Sequence, residues 1–369
     1  MPEPPMLLFF LTGAFAFINL LFFYRFYGFT QAPIGPESLQ NYPVSVLICA
    51  KNQADNLGRL LPLISAQRYS NFEIIVVNDG STDHTQDLLE AYALTDKRLE
   101  IVTIKPNETF WGNKKYALTL GIKKAQYQRL LFTDADCIPC SDQWMKRMTA
   151  PMTDKNAIVL GYSGYEKKPG LLNALIRYET VMTACQYLGH AWAKMPYMGV
   201  GRNLAYTKPL FFEQKGFVSH MDIPSGDDDL FVNKAAATCK TYIVFEPSAQ
   251  TQSIPKTTWA SFIRQKRRHI TTAHHYQWHH QLVLGFYALS LIGFWSSAVL
   301  GLIVHTPLNF LLTIVILRIG LQQALLAPCF RALKERSMVW LLFIFEPLLL
   351  CFQLIVFILN LFSKPPRWK

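Results

Sequence analysis

Four long apolar runs leave this chain few ways to fold. Residues 7–26, 282–304, 308–328 and 338–362 are almost free of charge, and roughly 20 such residues cross the hydrocarbon core of a bilayer as a helix. A helix satisfies its own backbone there, so these runs read as transmembrane helices, one early in the chain and three late. The 51% hydrophobic share of the chain gathers in them, and the stretch between has the mixed composition of a globular domain.

Residues 1–6 contain no Lys or Arg, which argues for a retained anchor rather than a cleaved signal peptide and puts Arg25 and the middle of the chain on the inner face. The basic loop Arg331, Lys334, Arg336 agrees with that orientation. Lys364, Arg367 and Lys369 do not, since one more crossing carries them outside. Either the last run, interrupted by Glu346-Pro347, bends without crossing, or the charge rule fails here. Arg318 and Glu346 lie inside successive apolar runs and are expected to pair.

Residues 44–50, 72–77, 99–105, 130–133 and 157–162 are short apolar or β-branched runs that read as buried strands. Helical patterns over 56–66, 82–92, 114–125 and 143–152 alternate with them, which predicts βαβ units and a mostly parallel sheet flanked by helices. Ligands of open α/β sheets bind at the carboxyl ends of strands. Lys51-Asn52, Asn78-Asp79 and Asp134/Asp136 all fall there. Two carboxylates two positions apart after a strand can face one divalent cation, which in turn would bridge to a phosphate ligand. The net charge of +11 also suggests anionic company.

Further on, 171–192 and 229–237 read as helices. Residues 256–269 carry five Lys/Arg and no acid, interleaved with Trp259, Phe262 and Ile263. That pattern suits the anionic face of a membrane, and the flanking spans argue against nucleic acid as a partner. The seven scattered cysteines form no evident disulfide framework, and Cys137/Cys140 is read as an incidental CxxC. His275 and His279 have i,i+4 spacing, but are assigned to interfacial packing with Trp278 rather than to a metal.

Val46-Leu47-Ile48-Cys49-Ala50-Lys51-Asn52, the Asn78-Asp79-Gly80-Ser81 turn after 74–77, Asp134-Ala135-Asp136 and Ser225-Gly226-Asp227-Asp228-Asp229-Leu230 occur in that order. As a set, over residues 44–269, they resemble the family-2 glycosyltransferases, inverting enzymes with a GT-A nucleotide-sugar-binding domain. Membrane-embedded members such as cellulose and hyaluronan synthases and ceramide glucosyltransferase carry Gln-x-x-Arg-Trp before their later spans. Here the motif reads Gln265-Lys266-Arg267-Arg268-His269, with His in place of Trp. The resemblance implies an anchor at 1–29, a linker at 30–43, a GT-A domain at 44–255, an interfacial segment at 256–281 and a transmembrane bundle at 282–369.

The resemblance also implies roles. Asp79 with Asn78, Ala50 and Asn52 would hold the nucleoside, although Asp79 could equally cap the following helix. Lys114 or Lys115, after Gly112-Asn113, would face the nucleotide. Asp134 and Asp136 would bind Mn²⁺ or Mg²⁺, with Asp134 also near the ribose. Asp228, with Asp227 as second choice, would be the general base, although acids at a helix start also complement its dipole. Gly201, Arg202 and Asn203 would meet the donor sugar and acceptor. Gln265, Arg267 and Arg268 would sit near the diphosphate or touch anionic lipid. The implied activity is metal-dependent hexosyl transfer from a nucleotide-sugar, a UDP-sugar foremost, to a lipid or lipid-linked acceptor. It would take place at the cytoplasmic face of a bacterial inner membrane, among membrane lipids. His269 weighs against the rival reading of a processive polysaccharide synthase, and the intact acids weigh against a non-catalytic nucleotide-sugar sensor. Oligomeric state is left open.

Overall fold

The computed structural model describes residues 4–33, 42–104, 114–223 and 225–363. Gly112, Asn113, the linker residues 34–41 and the basic tail Lys364, Arg367 and Lys369 lie outside the described residues. Helix α1 (Pro4–Gly28) is followed by β1 (Val44–Ala50), α2 (Ala54–Ser65), β2 (Phe72–Asp79), α3 (Thr85–Thr95), β3 (Leu99–Ile104), α4 (Lys114–Lys124) and β4 (Arg129–Asp134). Next come β5 (Cys137–Pro139), α5 (Trp144–Thr149), β6 (Ala157–Leu160), β7 (Ser163–Tyr165), α6 (Leu171–Trp192), β8 (Leu204–Thr207), α7 (Lys208–Glu213) and α8 (Asp229–Ala235). The chain then forms β9 (Lys240–Ile243), β10 (Thr251–Ser253), α9 (Trp259–His269), α10 (Trp278–Ile303), α11 (Leu308–Ala332) and α12 (Leu342–Phe362).

The main sheet runs in the order β3-β2-β1-β4-β8-β6-β9. Strands β1 to β4 are mutually parallel, as the alternating pattern predicts, and β8 enters antiparallel to both β4 and β6. Strands β1 and β2 are buried along their whole length, which explains their unbroken Val/Ile runs. The antiparallel strand was not anticipated. Leu204-Ala205-Tyr206-Thr207 is too short, and too close to Gly199 and Gly201, to stand out from a loop. A second sheet, β5-β10-β7, is built from three-residue strands that carry no periodic signal. Helix α3 starts later than expected because Asp83 accepts hydrogen bonds from the Thr85 N–H and hydroxyl and from the Ala54 N–H, which holds 82–84 as a turn.

Four helices are long and apolar enough to cross a membrane: Pro5–Gln31, Trp278–Ile303, Leu308–Ala332 and Arg336–Phe362. Helix α1 packs on the other spans through Phe22, whose ring centre lies 5.0 Å from that of Tyr287. It also joins them to the sheet domain through α6. Gly189 permits that approach, since a Cβ there would lie 2.7 Å from the Phe26 Cα.

The expected Arg318–Glu346 pair forms at 2.8 Å, buried, within a larger network. Arg318 also donates to Gln322 and Asn19, Trp295 and Gln322 donate to Glu346, and Asn19 donates to Ser290. All four candidate spans therefore meet in one polar cluster. Arg318→Leu strands a buried carboxylate and should lower unfolding stability in detergent by about 3–5 kcal/mol. Adding Glu346→Leu should recover most of that loss. A double variant no more stable than Arg318→Leu would show that the pair does not hold the helices in register.

Candidate active site

Strands β1, β2 and β4 all end at one edge of the sheet, and β4 runs straight into the Asp134-Ala135-Asp136 turn that leads to β5. The turn and the start of α8 line one cleft of about 960 Å³, together with Lys51, Lys114, Arg202 and residues of α6, α9 and α12. Carboxylate oxygens of Asp134 and Asp136 and the sulfur of Cys137 lie within 4.8 Å of one another. The two carboxylates suit a hard divalent cation; the buried Cys137 thiol instead points toward Asp136. Burial, and then repulsion from Asp134, push the Asp136 carboxyl above the usual range. A bound cation would relieve both effects.

Lys114 ties this turn to the acid cluster. Its ammonium lies 2.8 Å from Asp134 Oδ1 and 3.0 Å from Asp227 Oδ2. Burial alone would lower its pKa, but the surrounding acids outweigh that and hold it charged. Burial likewise pushes Asp227 upward, and the Lys114 ammonium overrides it, leaving Asp227 ionised below the ordinary range.

Asp228 stands apart from its neighbours. Its Oδ2 accepts the Gly201 N–H at 2.7 Å and its Oδ1 accepts the Asp229 N–H at 2.8 Å, and no cation pairs with it among the described residues. Burial first, then the flanking Asp227 and Asp229, push its carboxyl up to about 7. A Cβ at Gly201 would stand 3.4 Å from Asp228 Oδ2, in ordinary van der Waals contact with it. Asp229 turns the other way. It accepts hydrogen bonds from Thr272 and, at 2.8 Å, from the Tyr276 hydroxyl, which bolts α8 to the segment leading into α10.

Residues 45–212 match the family model described as glycosyl transferase family 2. Over that stretch, just under half of the chain, the sequence is similar to the family-2 glycosyl transferases. An uncharacterized glycosyltransferase of Haemophilus influenzae is 27% identical over 206 residues, 52% of this chain and 60% of its own length. Glycosyltransferase AglE of Haloferax volcanii is 27% identical over 139 residues, 37% of this chain and 44% of its own length. The matched stretch thus covers less than two thirds of either relative. Among solved structures, the mannosyltransferase PcManGT from Pyrobaculum calidifontis, in complex with GDP-Man and Mn²⁺, aligns with a TM-score of 0.61 at 18% identity. The alignment covers 93% of this chain and 97% of that one, and the fold of the sheet domain is GT-A.

The cleft gathers some of the residues singled out in the sequence and turns others away. Lys51, Lys114, Asp134, Asp136, Arg202, Asp227, Asp228, Gln265 and Arg268 line the cleft. Arg202 lies over the Tyr165 ring at 4.4 Å and keeps one buried guanidinium nitrogen without a partner. Asp79, at the end of β2, is buried 4.0 Å from Lys51, and one of its oxygens accepts no hydrogen bond. Burial pushes its carboxyl upward against the pull of Lys51. Ala50 ends β1 beside it, paired in register with Asn78. The Asn78 side chain accepts from the Ser81 N–H, and that of Asn52, at φ 55°, accepts from the Thr82 N–H.

Three side chains differ from expectation. Lys115 sends its ammonium to the carbonyls of His220 and Ile223 instead of into the cleft. Asn203 is fully buried, donating to Tyr162 and Ala249 and accepting from Trp144, so no hydrogen-bonding group is left for a sugar. Arg267 leaves the cleft for Asn360 and Ser363 at the end of α12. His275 and His279 do not share a helix face, because α10 begins only at Trp278. The sequence reading missed Tyr276 and Thr272, whose hydroxyls hold Asp229. It also passed over Arg264, which shares a cleft-lining helix face with Arg268 at i,i+4.

Proposed function

We propose that this chain transfers a sugar, with inversion, from a nucleoside diphosphate donor to a membrane-held acceptor. The observation that supports the reading is Lys114, whose ammonium joins the Asp134 turn to the acid cluster within one cleft; the turn would be the phosphate-binding edge and Asp228 the base.

Asp134 and Asp136 would hold a divalent cation, Mn²⁺ or Mg²⁺. That ion would supply Lewis-acid stabilisation of the departing nucleoside diphosphate. Asp79 would accept the imide N–H of uracil, or the N1–H of guanine, on an oxygen that accepts no hydrogen bond among the described residues. Lys114, Arg202 and Arg268 would meet phosphate oxygens, Arg202 from its stacked position over Tyr165. Asp228 would take the proton of the acceptor hydroxyl as that oxygen attacks the anomeric carbon. A carboxyl with a pKa of about 7 is matched to that task, being ionised in part at neutral pH yet more basic than an ordinary Asp. The four apolar helices would hold the cleft at the cytoplasmic face, where a lipid or lipid-linked acceptor is within reach.

A thermal-unfolding screen of the full chain in detergent tests the donor half of this proposal. UDP or GDP together with Mn²⁺ should raise the midpoint beyond what Mn²⁺ alone does, while CMP should add nothing, because only a ligand of the folded state stabilises it. A midpoint unmoved by every nucleoside diphosphate would overturn the assignment.

A further inference from the structure

Helix α8 begins at the acid cluster, and one of its faces is fastened to the segment that enters the first late span. Asp229 and Asn233 lie one turn apart on that face and are both buried. Asp229 Oδ2 accepts the Thr272 hydroxyl and, at 2.8 Å, the Tyr276 hydroxyl. Asn233 Oδ1 accepts the Gln277 N–H at 2.9 Å, and the Asn233 carbonyl accepts the Gln277 amide at 2.7 Å. The Asn233 amide also lies 3.0 Å from His280 Nδ1, in the first turn of α10. Residues 272–280 therefore hold α8 along its length.

The fastening reaches Asp228 through a single residue. The Asp229 N–H donates to Asp228 Oδ1, while the Asp229 carboxyl is tied to Thr272 and Tyr276. Its second oxygen accepts the Leu230 N–H. Three donors around one carboxyl favour the carboxylate over the acid. A buried charge is costly, and an apolar side chain would pack α8 as well. An apolar side chain would not place negative charge beside Asp228. Among the described residues, Asp228 also faces Asp227, Lys114 and Lys115 of α4, and Tyr206 of β8. Lys114 is engaged by Asp134 and Asp227, so it does not cancel the repulsion from Asp229. Asp229 itself faces Asp227, Lys115, Tyr197 and Tyr276.

We propose that Asp229 is a positioning residue for the base, held in that role by the Thr272 and Tyr276 hydroxyls. They keep Asp229 fixed and ionised. Its N–H then orients Asp228, and its charge opposes the ionisation of Asp228, so Asp228 keeps the proton it takes from an acceptor. The inference rests on the transferase reading above and deepens it by naming what tunes the base. It also makes the entry of α10 into the membrane part of the geometry of the cleft.

The test reads the titration of Asp228 and needs no acceptor. The thermal-unfolding midpoint of the full chain in neutral detergent is followed between about pH 4 and pH 9, each protein paired with its Asp228→Asn form so that other titrating groups cancel. In the parent pair, the Asp228 form should lose stability relative to the Asn form as pH climbs, and the difference should level near pH 7, where its carboxyl, raised to about 7, is ionised. With Asp229→Asn in both members, levelling should come about one pH unit lower, because a neutral neighbour no longer opposes the Asp228 charge. Tyr276→Phe should move it the same way by less, since Asp229 loses one of its donors and holds its own proton to higher pH. A packing role alone would lower every midpoint and leave the levelling point in place. Should Asp229→Asn not fold, Tyr276→Phe carries the test, as it removes a single oxygen. A levelling point that stays or rises in either folded variant would overturn this inference alone. Failure of UDP or GDP with Mn²⁺ to stabilise the parent would overturn the transferase reading, and with it the purpose assigned to Asp229.

Discussion

Asp228→Asn should lower sugar transfer about 10³-fold while nucleotide and Mn²⁺ still stabilise the protein, because a positioned general base typically contributes between 10² and 10⁴. The side chain accepts hydrogen bonds from the backbone N–H groups of Gly201 and Asp229 and from no side chain proposed to hold the donor, so binding and turnover should separate. The fold should survive. A carboxyl raised from 3.8 to about 7 in the folded state binds its proton more tightly folded than unfolded. Its ionisation therefore destabilises the protein progressively as pH climbs between those values. Asn carries no charge and escapes that penalty, which offsets the one backbone N–H, of Gly201 or Asp229, that its amide can no longer accept. The pH profile gives a second reading. In the parent enzyme, log rate should rise with a slope near one up to about pH 7 and then level, since only ionised Asp228 accepts the proton. Residual activity in Asp228→Asn should lose that limb. A variant with near-parental activity, or with the same acid limb, would move the base elsewhere in the cluster.

The features legible in the sequence are those whose signals are local. Asp134 and Asp136 could be placed because a strand that stops at two carboxylates presents both at one turn, whatever surrounds it. The parallel half of the sheet was legible because β1 and β2 are buried throughout and so spell out unbroken apolar runs. The direction of a side chain on a helix was not. Lys114 and Lys115 are adjacent, yet about 100° of helical turn separates them, and only tertiary packing puts one beside Asp134 and the other against His220. Asn203 follows Arg202 by one residue and points into the core instead of the cleft. Arg267 is drawn away by the end of α12, nearly a hundred residues later, a contact no window along the chain contains. The same long-range packing brings Tyr276 and Thr272 to Asp229 and Gln353 into the cavity.

Asp136→Ala should abolish metal-dependent turnover, lowering transfer by at least about 10³-fold, since Lewis-acid assistance to a leaving diphosphate is worth several kcal/mol and about 1.4 kcal/mol corresponds to each factor of ten. It should also remove the part of nucleotide stabilisation that needs Mn²⁺, leaving the weaker part that rests on Asp79, Lys114 and Arg268. Structural collapse is not the expected cause. Asp136 is disfavoured in its ionised form by burial and by Asp134, so its removal relieves repulsion in the metal-free protein. The same repulsion sets the direction of the pH effect on the metal. A cation must displace whatever proton the raised carboxyl holds, so apparent Mn²⁺ affinity should grow with pH across the range in which Asp136 titrates. Asp134→Ala differs in one respect, because it frees one side of the Lys114 ammonium and leaves that cation to Asp227 alone. Its metal affinity should fall as far as that of Asp136→Ala, while the acid limb of any residual activity moves to lower pH as Lys114 settles closer to the acid cluster. Full transfer by Asp136→Ala, or by parent protein stripped with EDTA, would leave Lys114 and the arginines as the only charges on the diphosphate and would remove the cation from the reaction.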